Sequence, residues 1–153
     1  MRCRLWVLGK LLFFFAIGYQ PTLSAQTFLV SEAEMKLSEA ELHAFDSRVA
    51  SPVGAPAIEV VEPDLSREVR SPTSISLRFK TADQVGVRPE SFKVLYGAFE
   101  LDITSRLLAL ASISAAGITV KDAALPSGSH RLTVKIADRL GREGVQVLRF
   151  TVN

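Results

Sequence analysis

Residues 57–153 are predicted to fold as an all-β domain, an antiparallel sandwich of about seven strands. Three observations predict it. Apolar residues recur at every second position in short runs, Gly, Pro, Asp and Ser turns separate those runs at near-regular spacing, and no long helical period lies between them.

The chain before that domain divides into three parts. Residues 1–25 have the order of a secretory signal peptide. Arg2 and Arg4 give a positive start, Leu11–Gly18 is an unbroken apolar run, and Leu23-Ser24-Ala25 offers a small-residue exit. The apolar run is far shorter than the roughly 20 residues that span a bilayer. Cleavage before Gln26 is expected, leaving no membrane span, and an uncleaved signal anchor is the competing reading. Cleavage removes Arg2, Arg4 and Lys10, so 18 basic residues become 15 against 16 acidic ones, and the net charge moves from +2 to −1. The basicity thus belongs to the leader and gives no reason to expect nucleic acid binding. Cys3 and Trp6 are also confined to the leader. The mature chain therefore has no disulfide, no thiolate nucleophile and no cysteine metal ligand.

Residues 26–50 form an acidic segment of charge −3. It contains two S-x-x-E patterns, Ser31 with Glu34 and Ser38 with Glu41, and apolar residues at helical spacing, including Met35, Leu42 and Phe45. One amphipathic helix over about 31–45 is expected. Its apolar side must be covered, by its own sandwich or by a partner. Residues 51–56, rich in proline and small residues, read as a linker.

The strands follow. AIEVVE stops at Pro63, and SISLRFK alternates Ile75, Leu77 and Phe79 with polar residues. SFKVLYG and FELDI flank Gly97-Ala98 as a hairpin, with Leu95 on the polar parity. TSRLLALASIS is apolar at both periods and admits a short helical turn. GITVKDA is a strand, HRLTVKIAD points Leu132, Val134 and Ile136 inward with Arg131, Thr133 and Lys135 outward, and GVQVLRFTV closes the domain. No second domain or tail anchor is expected after Val152.

The stretch ALPSGSHRLTVKIADRLGREGVQVLRFTV resembles the closing hairpin of bacterial immunoglobulin-like and fibronectin type III-like domains. Leu125, Pro126 and Gly128 match the entry, Asp138 and Gly141 the turn, and Phe150 and Val152 the end. The resemblance covers about 57–153 and implies an immunoglobulin-like sandwich used for adhesion, spacing or holding a partner. The cysteine pair and buried tryptophan of antibody-type domains are missing, so Phe92, Val94 and Tyr96 are expected to fill the centre. In related domains a tyrosine often sits at the strand corner where this chain has His130. Secreted copper carriers of the bacterial envelope share a similar LPSG hairpin. The resemblance asks for a histidine at the mature N-terminus and another in the last turn, where this chain has Gln26-Thr27 and Arg139 with Arg142.

Candidate chemistry is sparse. Ser129, His130 and Asp138 supply the letters of a hydrolase triad, but adjacent strand residues point to opposite faces, and eight residues of strand span about 26 Å. The three are expected to be structural. His43 and Met35, eight apart on a helix, lie about 12 Å apart along its axis, too far to share an ion. The carboxylate pairs Glu100/Asp102 and Glu62/Asp64 read as solvated strand and turn positions. No catalytic residue, metal ligand or cofactor is expected. The expected function is a non-catalytic exported module, periplasmic or secreted, that engages another envelope protein. The candidate partner-binding residues are Met35, Leu42 and Phe45 of the helix and Arg78, Lys80, Lys93, Arg131 and Lys135 on outward strand faces. The alternatives are a periplasmic copper carrier and a binder of an envelope polymer.

Overall fold

The computed structural model describes residues 28–41, 51–83 and 85–153. The order of elements is α1 (Glu32–Glu41), β1 (Ala57–Glu62), β2 (Thr73–Lys80), β3 (Val87–Tyr96), β4 (Leu101–Asp102), α2 (Thr104–Leu108), β5 (Ala111–Ser114), β6 (Gly117–Ala123), β7 (Gly128–Asp138) and β8 (Glu143–Val152). The expected signal peptide, Leu42, His43 and Phe45 lie outside the described residues. None of the described helices is long and apolar enough to cross a membrane.

Two four-stranded antiparallel sheets result, ordered β1-β2-β6-β5 and β4-β3-β7-β8. That connection pattern is the immunoglobulin-like one, with one extra edge strand beside the second sheet. The expected all-β sandwich is therefore the fold, with eight strands where about seven were expected. The added count comes from TSRLLALASIS, which splits into α2 and the separate strand β5. Sequence alone could not divide a stretch that is apolar at both periods.

The core forms where the alternation places it. Ile75, Leu77, Phe79, Ile118 and Val120 face inward from the first sheet. Opposite them lie Phe92, Val94, Tyr96, Leu132, Val134, Ile136, Leu148 and Phe150. Phe92, Val94 and Tyr96 do occupy the centre, at 3%, 1% and 2% exposure. Phe79 and Phe92 meet across the sheets with ring centroids 6.1 Å apart. Without a disulfide, the apolar core to which this contact belongs joins the two layers.

β7 departs from the simple two-sided pattern. Arg131 and Thr133, expected to point into solvent, are 9% and 2% exposed. Their parity is outward as expected, but β7 is a central strand and α1 lies against it. A strand covered on both sides buries its polar face as well.

Replacing Phe92 by alanine is expected to cost about 3–5 kcal/mol through lost contact and a residual cavity. Urea denaturation at neutral pH measures it. A cost under about 1 kcal/mol would show that the two layers do not depend on this contact.

Candidate functional site

The residues that resemble a triad hold the two ends of β7. His130 is 2% exposed and points into the core. Its Nε2 lies 2.8 Å from the Pro126 carbonyl oxygen, and its Nδ1 lies 2.9 Å from the Tyr96 hydroxyl. A carbonyl only accepts, so Nε2 carries a proton, and Nδ1 pairs with the Tyr96 hydroxyl, a group that can both donate and accept. The ring also stacks on Phe150 at 5.4 Å. This is the place and bonding of the tyrosine corner in immunoglobulin-like sandwiches, reached here by a histidine. Leu125 N–H, in the same loop, donates to Ser71 Oγ at 2.9 Å. Ser129 is exposed on the opposite parity. A surface cleft of about 420 Å³ lies beside the corner, lined in part by Arg67, Ser129, Arg149 and Thr151.

Asp138 closes the other end of β7 and is fully buried. Its Oδ1 accepts the N–H groups of Leu140 and Arg142, both at 2.9 Å, and its Oδ2 accepts Arg142 Nε at 2.7 Å. Burial pushes the Asp138 carboxyl up, but these bonds together outweigh it and hold the pKa below the usual aspartate range. Arg142 continues to Asp83 at 3.0 Å, which ties the β2–β3 loop to the β7–β8 turn.

The N-terminal segment docks on the sandwich it precedes. Ser31 and Glu34 form the expected capping box. Ser31 N–H donates to Glu34 Oε2 at 2.8 Å, and Glu34 N–H donates to Ser31 Oγ at 3.3 Å. Glu34 also receives Arg106 Nη1 from α2 on both oxygens at 3.0 Å. The Ser31 N–H, aided by Arg106, keeps its carboxyl below the usual glutamate range against the opposing effect of burial. Leu29 and Val30 join the core, and Leu29 N–H donates to the Ala124 carbonyl at 3.0 Å. Ser38, read in the sequence as a second cap, lies inside α1 instead. It is 3% exposed and packs over Gly97, whose φ of +72° and close approach to Ser38 leave no room for a side chain.

The residues expected to meet a partner are not gathered on one surface. Met35 is buried, in the docked segment. Arg78 and Lys80 are exposed on the outer face of the first sheet, where Lys80 pairs with Glu59 at 2.6 Å. Lys93, Arg131 and Lys135 lie on the outer face of the second sheet, with Lys93 directly opposite Lys135. Arg131 is buried there, which corrects its expected exposure. One carboxylate of each pair serves a turn. Asp64 accepts from Ser66 Oγ at 2.6 Å and from Ser66 N–H at 3.0 Å, and Asp102 accepts from Thr104 N–H at 2.9 Å. Among the described residues, no group of three or more His, Cys, Asp or Glu side chains could hold a metal ion.

A different surface stands out, and sequence reasoning missed it. Phe99, Leu101, Leu108 and Leu110 are 67%, 39%, 37% and 40% exposed. They belong to β4, α2 and the turns beside them, where the chain crosses from the edge of the second sheet to the edge of the first. The signal for it was present, since Leu107–Val120 contains no ionisable side chain. An uncharged stretch reads as core until the topology puts it at an edge.

No family model matches the chain, and no curated protein matches it. Among solved structures it is similar to CopC from Methylosinus trichosporium OB3b, at 18% sequence identity and a TM-score of 0.41, over 63% of this chain and 93% of that one.

The lowered pKa of Asp138 fixes the sign of a pH effect. Its ionised form stabilises the fold above the usual aspartate pKa of about 3.9, and that contribution is lost as pH falls through the lower folded value. Asp138→Asn should therefore unfold more easily than the parent chain at pH 7, and the gap should shrink steadily below about pH 4. Melting temperatures across pH 2–7 read it. A gap that stays constant with pH would contradict the assignment.

Proposed function

We propose that this chain is an exported, non-catalytic immunoglobulin-like module of the bacterial envelope, working in the periplasm or beyond it, that engages a protein partner. The observation that carries this reading is the apolar edge formed by Phe99, Leu101, Leu108 and Leu110. Large exposed apolar side chains brought to one edge of a small sandwich support an interaction surface there. Supporting it, His130 and Asp138 are occupied in holding β7. The signal-peptide order of residues 1–25, the corner at His130 and the strand order support export and membership among bacterial immunoglobulin-like domains. The docked segment 28–38 is part of the module, so the partner meets the sandwich edge and not the helix side that holds Met35.

Photo-crosslinking side chains placed at Phe99 and Leu108 test this in the producing cell, with Leu140 as the control. Leu140 is 68% exposed but lies in the β7–β8 turn, away from the edge. Protein adducts are expected at the first two positions and not at the third. Adducts at none of them, or equally at all three, would overturn the reading.

A further inference from the structure

The partner at this edge follows from how the chain treats its other edges. A sheet edge presents unpaired N–H and C=O groups, and proteins blunt such edges with charges, prolines, bulges or covering chain. The free side of β8 is covered at both ends. Val145 N–H donates to Ser51 Oγ at 3.0 Å, Val69 N–H donates to the Thr151 carbonyl at 2.8 Å, and Asn153 N–H donates to the Val69 carbonyl at 3.1 Å. The edge strand β1 carries Glu59 and Glu62, has a bulge between Val60 and Glu62, and ends at Pro63. β4 is only two residues long. β5 is the edge of the first sheet, and its sequence Ala-Ser-Ile-Ser has no charge, no proline and an unbroken register with β6.

The orientation of its backbone follows from the turn. Ala115-Ala116 is a two-residue connection closing on Ser114 and Gly117. That closing pair is hydrogen-bonded, and so is the pair Ser112/Thr119 two residues on. The N–H and C=O groups of Ala111 and Ile113 consequently point away from β6. Ser112 and Ser114 are exposed on the outer face, and Ala111 and Ile113 pack toward the core.

We infer that the occupant of this edge is a second copy of the chain, added as an antiparallel β5–β5 pair about a two-fold axis. The inference rests on the proposed function, since it names the partner for the same edge. In that pairing Ile113 of one copy faces Ala111 of the other, giving four backbone hydrogen bonds, and the two Ser112 residues meet across the axis. A two-fold contact sets every group against its own copy, so a strand carrying charge would oppose like charge. The segment Leu107–Val120 carries none. Leu108 and Leu110, next to β5 in the chain, extend the contact beyond the strand. The first sheet then continues through both copies as eight strands, a size open sheets adopt. Four residues of strand with a few flanking leucines make a small contact, so the association is reversible and depends on concentration.

Cysteine placement tests the geometry. On a Cys3→Ser background, Ser112→Cys should form an intermolecular disulfide under mild oxidation, because facing residues at the axis lie about 4.5 Å apart between Cα atoms. Ser74→Cys, exposed on the outer face of the same sheet, should not. In sedimentation velocity the chain should move toward dimer mass as concentration rises. Ser112→Lys should weaken that association at least tenfold, and Ser74→Lys should leave it unchanged. Ser112 is exposed, so its lysine variant keeps the parent circular dichroism and melting temperature. A chain monomeric at every concentration, equal cross-linking at positions 112 and 74, or association unaffected by Ser112→Lys would each overturn the inference. If the cell instead yields adducts of Phe99 and Leu108 with a different protein, the proposed function stands and the second copy does not.

Discussion

The imidazole of His130 joins the loop that carries the chain between sheets to the end of the neighbouring strand β3. Its two nitrogens reach the Pro126 carbonyl and the Tyr96 hydroxyl at 2.8 and 2.9 Å. Because strand side chains alternate, fixing this one residue inward fixes Leu132, Val134 and Ile136 inward with it. A one-residue slip would turn that whole set outward. Eight residues later Asp138, buried and held by Arg142 and Leu140, closes the same strand. The central strand of the second sheet is thus fastened at each end by a buried polar group. The letters that resemble a hydrolase triad supply both fastenings.

Most of the sandwich was legible because its signals are local. The alternation in SISLRFK and HRLTVKIAD, the Asp-x-x-Gly turn and the capping box at Ser31 each act within a few residues. What escaped depends on partners distant in sequence. Arg131 has an outward parity, but a neighbouring element lies over its strand. Ser38 fits a capping pattern, yet Gly97, far along the chain, receives it as a packing residue. The pairing of Glu34 with Arg106 spans 72 residues, and neither residue announces the other. The candidate site was the least legible part. Its cations lie on two opposite faces, and the apolar edge looked like interior.

Edge protection and core packing are the same constraint seen from two sides. A chain whose single cysteine is Cys3 holds two sheets by apolar area, so its strands must be apolar inward and guarded at their rims. This chain guards β8 by folding Ser51 and Val69 against it. Its linker is therefore seated rather than slack, with Pro56 so close to Gly144 that no Cβ would fit there. The rim at β5, with Leu108 and Leu110 beside it, is left apolar, and the stretch Leu107–Val120 carries no charge.

The protonation pattern of His130 tests the central interaction most directly. Long-range proton–nitrogen correlation on uniformly labelled protein identifies which ring nitrogen bears hydrogen. Bonding to the Pro126 carbonyl requires hydrogen on Nε2, and burial requires that this ring proton be shielded from exchange with water. An Nε2 without hydrogen, or a ring proton exchanging as freely as that of an exposed histidine, would contradict a structural role for His130 and return it to the candidates for chemistry.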